Sequence, residues 1–403
     1  MHTLSEALRL VMERAAPLPP ADRELIGALG LVLAEDVEAD RDAPPFDKSL
    51  VDGYAVRAGD LQGEERWLRV SEEITAGRLP TRALGPREAA AIMTGAPLPE
   101  GADAVVMVER CRRGDDRVFI EPQPIASGMN RLTRGREWKA GEVVLRRGER
   151  LGPAHLGLLA SVGRSGVLAV PAPRVAIVPT GDELVEPGQV PGPGQIRNSN
   201  AVTLHALAVE AGAKAEVSPI APDDPDRLRA ILARGLEANV LLITGGVSAG
   251  TRDLVPAALE RLGALKVFHK VRLKPGKPLW FGVGPARGEG TGALVFGLPG
   301  NPVSVVVGFL LFVRPALDVL AGRPPRRSEV VSRPLGQPFT QRGDRITYHP
   351  ACWTDPDRRA VVPLDGAGSA DLRTLARADG FAIFPAGDRV YEEGEVVEFL
   401  PLR

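Results

Sequence analysis

The sequence predicts a multidomain α/β protein with a central doubly wound α/β domain, an inserted β-rich domain and a small C-terminal β-barrel-like domain. Three observations support this prediction. The chain has 403 residues, more than one ordinary hydrophobic core accommodates. Residues 173–325 alternate apolar strand-like runs with amphipathic helix-like runs, as a layered α/β domain requires. The flanking stretches show short apolar runs between Gly- and Pro-rich turns, which are typical of β structure.

The N-terminal part of the chain is predicted to form one domain split by an insertion. Thr3 and Glu6 have the spacing of a capping box before an amphipathic helix. Short strands, such as 104–108, dominate residues 45–138, and a strand near 142–145 and a helix at 153–162 follow. We therefore expect residues 1–44 plus 139–172 to form the split domain and residues 45–138 to form the inserted β-rich domain.

The central block, residues 173–325, is predicted to be the ligand-binding α/β domain. Strands are expected at 175–178, 217–220, 240–244 and 294–296, and a helix at 200–211. A polar or glycine-rich loop follows each strand. In an open parallel sheet such loops meet at the carboxyl edge, where ligands bind. Residues 326–403, after a Pro- and Arg-rich linker, are expected to form the C-terminal β domain.

Composition favours a small ligand over a macromolecular one. Apolar residues make up 44% of the chain, charged residues 25%, and the formal net charge is −1. Because Lys and Arg are scattered rather than clustered on a stripe, the pattern does not favour nucleic-acid binding. Cys111 and Cys352 are the only cysteines, which argues against a disulfide framework and a thiolate zinc site and is consistent with a reducing compartment.

We expect a cytoplasmic protein that does not bind a membrane. The first 15 residues contain Glu6 and Glu13 and lack the apolar core of a signal peptide. The longest apolar stretch, residues 303–313, is roughly half the length that a bilayer span requires, so a buried helix is the better interpretation.

Three loops carry the groups expected to perform chemistry. Thr180-Gly181-Asp182-Glu183 offers a hydroxyl and two carboxylates for a cation, although an acidic helix N-cap explains the same residues. Gly245, Gly246 and Gly250 with Ser248 and Asp253 allow backbone N–H groups to approach a phosphate, although a tight strand-to-helix turn remains an alternative. The basic loop contains Lys270, Lys274 and Lys277 and suits an oxyanion, unless it is simply a solvated surface.

Six motifs in order resemble the molybdopterin molybdenumtransferases, the family of the gephyrin E domain. They are Asp47-Lys48-Ser49-Leu50-Val51-Asp52-Gly53-Tyr54-Ala55, Met93-Thr94-Gly95-Ala96-Pro97-Leu98-Pro99, Thr180-Gly181-Asp182-Glu183-Leu184, Gly245-Gly246-Val247-Ser248, Lys274-Pro275-Gly276-Lys277-Pro278 and Gly297-Leu298-Pro299-Gly300-Asn301-Pro302. The resemblance spans nearly the whole chain. It implies a MogA-like central domain and an elongated homodimer whose active site is shared between subunits.

The resemblance also implies roles for individual residues. The implied catalytic residues are Glu183, Asp253, Asp52 and Lys274, and the implied Mg²⁺ ligands are Asp223 and Asp253. The implied residues for binding cofactor, molybdate or phosphate are Thr94, Glu137, Thr180, Gly245, Gly246, Ser248, Lys270, Lys277, Pro299, Pro302, Arg345 and Ser369. The chain departs from the family pattern at Lys48, Leu50, Val51, Glu137 and the His349-Pro350 stretch.

The expected activity is insertion of molybdenum from molybdate into adenylylated molybdopterin, with Mg²⁺-dependent release of AMP. The partners that the resemblance implies are a molybdopterin adenylyltransferase and apo-molybdoenzymes. Tungstate is an alternative substrate that the sequence does not separate from molybdate. Two other classes of function also remain open: an interaction scaffold, and a pterin carrier that does not hydrolyse the nucleotide.

Overall fold

The computed structural model describes residues 1–246, 254–286, 291–326 and 330–402. The α-helices of this part of the chain are α1 Leu4–Met12, α2 Pro153–Ser161, α3 Ser199–Glu210, α4 Pro225–Gly235, α5 Leu254–Arg261, α6 Pro302–Gly308, α7 Arg314–Leu320 and α8 Leu372–Arg377. The predicted capping box of α1 is confirmed: Thr3 Oγ1 accepts from Glu6 N at 3.2 Å, and Glu6 Oε2 accepts from Thr3 N at 2.8 Å.

The strands account for most of the other regular structure. In chain order they are β1 Ala21–Glu24, β2 Val32–Leu33, β3 Val37–Glu38, β4 Lys48–Ser49, β5 Gly53–Val56, β6 Trp67–Ile74, β7 Glu88–Ile92, β8 Ala104–Met107, β9 Cys111–Arg113, β10 Arg117–Ile120, β11 Arg131–Leu132, β12 Val143–Leu145, β13 Gly166–Val170, β14 Arg174–Pro179, β15 Leu184–Val185, β16 Ile196–Arg197, β17 Lys214–Val217, β18 Val240–Thr244, β19 Leu265–His269, β20 Leu273–Lys274, β21 Trp280–Val283, β22 Leu294–Leu298, β23 Val331–Pro334, β24 Phe339–Gln341, β25 Ile346–Trp353, β26 Val361–Pro363, β27 Gly380–Phe384, β28 Arg389–Tyr391 and β29 Val396–Pro401.

The chain forms two compact units. One contains Arg23–Leu29 and Glu35–Val167, and the other contains Met1–Asp22, Gly30–Ala34 and the described residues from Leu168 onward. The first unit is built around a six-stranded sheet in the order β8-β5-β7-β6-β10-β9. This sheet confirms that the middle of the N-terminal half is rich in β structure. The finer division into four domains stays a prediction.

The second unit contains the central α/β sheet in the order β17-β14-β18-β22-β21-β19. The first four strands are parallel, and β21 and β19 are antiparallel to their neighbours. The central strands β18 and β22 are fully buried, as expected for a sheet with helices on both faces. The predicted multidomain α/β fold class is confirmed.

Two details of the central domain differ from the sequence prediction. The strand expected at 217–220 lies at Lys214–Val217 instead, because these residues pair with Arg174–Ile177 of β14 and Pro219 has no N–H to extend the ladder. The buried helix expected at 303–313 is longer than the apolar stretch, since helical geometry continues from Pro302 to Leu320. This helix is long and apolar enough to cross a membrane by length and composition, but 83% of its apolar window is buried inside the protein, as in a core helix.

The C-terminal strands form a second sheet in the same unit, in the order β20-β25-β27-β29-β23, with β26 on β25. The short strand β20 comes from the central block but pairs in parallel with β25, Leu273 with Ile346 and Lys274 with Thr347. Strands β24 and β28 pair separately. The C-terminal β domain is therefore hydrogen-bonded to the basic loop of the central block. The closure of this domain into a barrel stays a prediction.

Candidate functional site

A cavity of about 650 Å³ lies beside the basic loop, within the second unit. It is lined by Lys274 and Lys277 from the basic loop, by Pro299 and Asn301 from the loop after β22, and by residues of the C-terminal domain that include Thr340, Arg342, Arg345, His349 and Ser369. Among the described lining residues, four are Lys or Arg and none is Asp or Glu. The cavity therefore suits an anion, because four cations line it, and the exposed Asp344, whose Oδ1 lies 3.9 Å from Arg345 Nε, stands outside the lining.

The cationic side chains that line the cavity differ in how firmly hydrogen bonds fix their positions. Lys274 is exposed, and its Nζ lies 3.5 Å from the Arg342 carbonyl oxygen, at the long limit of a hydrogen bond. Arg345 is more firmly placed, because its Nη1 donates to the Leu273 carbonyl oxygen at 3.1 Å and 29% of its side chain is exposed. Arg345 thus provides a fixed charge, whereas Lys274 can turn toward an incoming anion.

His349 contributes an uncharged side chain to the wall of the same cavity. Burial lowers the pKa of His349, and the nearby Lys274 ammonium group lowers it further. Its Nε2 lies 2.9 Å from the Leu364 carbonyl oxygen, so Nε2 carries the proton of the neutral ring. The ring also packs against Phe339, with centroids 4.8 Å apart. The cavity therefore combines two lysines and two arginines with an imidazole whose lowered pKa favours the neutral form.

The loop that carries Ser369 is ordered by Asp371, the N-cap of α8. The Asp371 carboxylate accepts from Thr374 N at 3.0 Å, Thr374 Oγ1 at 2.7 Å and Ala367 N at 3.0 Å. These hydrogen bonds, those from Thr374 first, lower the pKa of Asp371 to about 2 from the usual 3.8. The ionised carboxylate therefore fixes the turn that places Ser369 at the cavity wall.

The stability that Asp371 provides should be lost in acid. Because the pKa is about 2 in the folded state and 3.8 in the unfolded state, ionised Asp371 stabilises the fold above about pH 4, and this contribution fades as the pH falls toward 2. We expect the difference in Tm between the wild type and Asp371→Asn to shrink over that interval. Thermal melts at a series of pH values measure it, and a difference that is constant from pH 7 to pH 3 would contradict the assignment.

A second group of predicted site residues lies at the carboxyl edge of the central sheet. Thr180 follows β14, and both its N and its Oγ1 donate to the Thr244 carbonyl oxygen, at 2.9 and 3.2 Å. Gly245 has φ +86°, and a Cβ there would lie 2.5 Å from the Thr180 carbonyl oxygen. Gly246 has φ +61°, and a Cβ there would crowd Val255 and the Thr180 hydroxyl. Glycine is therefore required at both positions, as a close strand-to-loop turn demands.

Carboxylates stand at the same edge. The Asp182 Oδ1 accepts from Asp223 N at 3.0 Å, and Asp182, Glu183 and Asp223 are all exposed. The Glu183 carboxylate lies beside Gly181, whose φ of +133° favours glycine at that position. The predicted residues Ser248 and Asp253 lie outside the described residues. Among those that are described, no group of three or more His, Cys, Asp or Glu side chains forms a metal cluster.

The loop after β22 connects this edge with the cavity. Gly245 N donates to the Leu298 carbonyl oxygen at 3.3 Å at the start of the loop. Farther along, Pro299 and Asn301 line the cavity, and Asn301 Nδ2 donates to Ser369 Oγ at 2.8 Å. Pro302 begins α6 and stands just outside the lining. The glycine turn is therefore hydrogen-bonded to the end of β22, and the loop that follows β22 contributes Pro299 and Asn301 to the cavity wall.

Three predicted residues lie in the other unit. Asp52 Oδ1 accepts from Thr94 N at 2.7 Å and from Thr94 Oγ1 at 2.8 Å, and these hydrogen bonds lower the pKa of Asp52. Glu137 Oε1 lies 3.6 Å from Lys48 Nζ, and both residues line a cavity of about 340 Å³. Lys48 and Glu137, two of the residues that depart from the family pattern, thus form an ion pair with each other.

Sequence reasoning placed Lys274, Lys277, Pro299, Arg345 and Ser369 at the cavity, and the structure brings them together there. Lys270 lies outside the cavity lining, at φ +74°, where its N donates to the Leu279 carbonyl oxygen at 2.9 Å. Sequence reasoning did not identify Arg342 or Asn301 as site residues. The signal for Arg342 was its position three residues before Arg345 in a Gly-containing loop, and the signal for Asn301 was its place in the Leu298 to Pro302 motif.

Family models match three successive parts of the chain. The model of the MoeA N-terminal region, domains I and II, matches residues 2–163, a probable molybdopterin binding domain matches residues 176–319, and the MoeA C-terminal region, domain IV, matches residues 332–402. These matches cover the regions that hold both groups of predicted site residues.

Curated relatives and solved structures agree with the family models. The molybdopterin molybdenumtransferase of Staphylococcus aureus strain Mu50 is 32% identical over 98% of this chain and 94% of its own length. That of Bacillus subtilis is 36% identical over 92% and 87%, and molybdopterin molybdenumtransferase 2 of Mycobacterium tuberculosis is 38% identical over 96% of both chains.

A structure of the molybdopterin biosynthesis MoeA protein from Pyrococcus horikoshii matches with a TM-score of 0.80 and 32% identity, covering 100% of this chain and 99% of that one. A second structure from this species matches with a TM-score of 0.74 and 29% identity, covering 99% of both chains. With near full-length matches of this kind in sequence and in fold, the chain belongs to the molybdopterin molybdenumtransferase family.

Proposed function

We propose that this protein inserts molybdenum from molybdate into adenylylated molybdopterin and releases AMP, as a transferase of molybdenum cofactor biosynthesis. The observation that carries the proposal is the cavity lined by Lys274, Lys277, Arg342 and Arg345. Molybdate is a dianion, and converging cations bind such an oxyanion strongly where the wall is partly desolvated. The names of the curated relatives support the molybdenum-transfer part of this proposal.

The reaction balances without an external oxidant or reductant. The two dithiolene thiols of the pterin form Mo–S bonds, and two oxygen atoms of molybdate leave as two waters, which take two protons from the thiols and two from the hydrolysis of the pyrophosphate bond. One water hydrolyses the pyrophosphate bond, so that AMP leaves and the pterin keeps its phosphate. The cations of the cavity bind the molybdate oxygens and stabilise the negative charge that gathers when oxyanion and pyrophosphate approach each other. The Ser369 hydroxyl adds a neutral hydrogen-bonding group.

The carboxyl edge of the sheet is proposed to hold the pyrophosphate end of the substrate. Gly245 and Gly246 have positive φ values and turn the chain sharply beside Thr180, and a turn of this kind is proposed to bring the loop backbone close to a phosphate group. Asp223 is proposed as a Mg²⁺ ligand together with Asp253. The carboxylate of Asp223 is exposed and fits this ion, which prefers hard oxygen ligands. When bound, Mg²⁺ would shield pyrophosphate charge that repels molybdate.

AMP release tests the proposal. The purified protein is supplied with adenylylated molybdopterin, with and without molybdate and Mg²⁺, and AMP is quantified by chromatography. We expect AMP release that depends on molybdate, and a product that reconstitutes an apo-molybdoenzyme. Tight pterin binding with no AMP under any condition would favour a carrier and overturn the proposal. Parallel assays with tungstate measure the preference between the two oxyanions.

We also propose that the enzyme is a cytoplasmic homodimer with an active site shared between subunits. In this arrangement Asp52, Thr94 and Glu137 of one subunit complete the site that Lys274 and Arg345 form on the other. The resemblance to the family supports this proposal. A molybdopterin adenylyltransferase would supply the substrate, and apo-molybdoenzymes would receive the product.

Complementation between two inactive variants tests the shared site. Lys274→Ala and Asp52→Ala are each expected to be inactive as pure dimers. After subunit exchange, the mixed dimers contain one site with both residues intact, so roughly a quarter of wild-type activity should return for random pairing in a C2 dimer. A mixture that stays inactive although native mass spectrometry shows mixed dimers would contradict a shared site.

A further inference from the structure

Asn301 makes a direct contact with a proposed molybdate-binding residue. Its Nδ2 donates to Ser369 Oγ at 2.8 Å, and the next residue but one, Val303, donates from its N to the Ser369 carbonyl oxygen at 3.1 Å. Both Asn301 and Ser369 line the cavity. The loop after β22 therefore holds Ser369 by its side chain and by its backbone.

The direction of the side-chain hydrogen bond decides what the Ser369 hydroxyl can do. An amide NH₂ group only donates, so Ser369 Oγ must accept, and the hydroxyl hydrogen is left to donate elsewhere. Among the described residues, no protein acceptor is recorded for that hydrogen. An oxyanion in the cavity only accepts hydrogen bonds. The Ser369 hydroxyl is a suitable partner for it, because its oxygen already accepts from Asn301 and its hydrogen is available to donate.

A second asparagine fixes the same loop without touching Ser369. Asn200 Nδ2 donates to the Gly300 carbonyl oxygen at 2.6 Å. The loop is thus tied to the start of α3 on one side and to Ser369 on the other. Asn301 itself occupies the N-cap position of α6 but makes no side-chain capping hydrogen bond, so the helix does not depend on its amide.

We infer that Asn301 is a positioning residue that orients the Ser369 hydroxyl so that it donates to the tetrahedral oxyanion bound in the cavity. The inference rests on the proposed function and deepens it, because it assigns to one residue the control of one hydrogen bond to molybdate. Asn301 does not itself contact the anion in this arrangement. Asn301 affects molybdate binding only by orienting the Ser369 hydroxyl.

Calorimetric titration of the full-length protein with molybdate tests the inference, without need of the pterin substrate. Asn301→Ala and Ser369→Ala should each weaken molybdate binding about tenfold, as expected for the loss of one hydrogen bond to a charged group. In the double variant the loss should stay near that of Ser369→Ala alone, because Asn301 acts only through the hydroxyl. Asn301→Asp, which offers only acceptors and adds a negative charge, should weaken binding further than Asn301→Ala.

Asn200→Ala is the matched control, since it loosens the same loop at Gly300 and leaves Ser369 in place. Additive losses in the double variant, unchanged binding in Asn301→Ala, or equal losses in Asn200→Ala and Asn301→Ala would each overturn the inference. If the wild type binds molybdate and the variants fail these criteria, only the role of Asn301 is refuted. If the wild type does not bind molybdate at all, the proposed function falls and this inference falls with it.

Discussion

Replacement of Lys274 by alanine is expected to lower kcat/KM for molybdate by about 10²-fold, because it removes a charge-assisted hydrogen bond to the oxyanion that is worth up to about 3 kcal/mol. Lys274 lines the cavity, and the only side-chain hydrogen bond recorded for it among the described residues is the long one to the Arg342 carbonyl oxygen. Its charge is therefore available to the anion. Steady-state AMP release at varied molybdate concentration measures the change.

Lys266→Ala provides the matched control for this experiment. Lys266 is an exposed residue of β19 and does not belong to the lining of the cavity. Its removal changes the net charge by the same amount and should leave kcat/KM within about twofold of the wild type, since exposed charges are strongly screened. Equal losses in the two variants would indicate a general electrostatic effect and would refute a specific role for Lys274.

Replacement of Asp318 by alanine is expected to destabilise the protein by about 3–5 kcal/mol, the typical result of removing one partner from a buried ion pair. Asp318 is 0% exposed and Arg323 10% exposed, with Arg323 Nε 2.9 Å from Asp318 Oδ1. Asp318 Oδ2 also accepts from Arg326 N at 3.1 Å. Without the carboxylate, Arg323 would keep an uncompensated buried charge.

Urea unfolding followed by tryptophan fluorescence measures this loss. Asp226→Ala removes the acidic partner of an exposed pair, in which Arg229 Nη2 lies 3.3 Å from Asp226 Oδ1 and 89% of the Asp226 side chain is exposed. That control should change the free energy of unfolding by about 1 kcal/mol or less. Similar losses in both variants would show that burial of Asp318 does not determine the effect.

Local pattern predicted the elements of the central domain well. Apolar runs placed the strand at Val240–Thr244 with the bounds that the structure has, and the capping box placed the start of α1. The strand at Lys214–Val217 was misplaced because its burial pattern is largely exposed, so no apolar run marks it, and only pairing with β14 fixes its register. Propensity does not encode such pairing.

The candidate site was predictable only in part. The glycine turn and the basic loop follow strands, so their chemistry is visible in short motifs. Arg342 and Asn301 reach the cavity through contacts between segments far apart in the chain, such as the hydrogen bond from Asn301 to Ser369, which spans 68 residues. A motif shows which residues are neighbours in sequence, but the sheet and its loops determine which side chains meet. The role of Asn301 therefore required the structure.

The pairing of β20 with β25 has a consequence for how the family can recombine. Leu273 is fully buried, and the two residues of β20 belong by sequence to the central block but by hydrogen bonding to the C-terminal sheet. In a chimera in which only the C-terminal block is exchanged, β20 and the lysine at its end would have to pair with a sheet from another protein. We therefore expect exchange of the basic loop and the C-terminal sheet together to preserve this pairing, and exchange of either one alone to disrupt it.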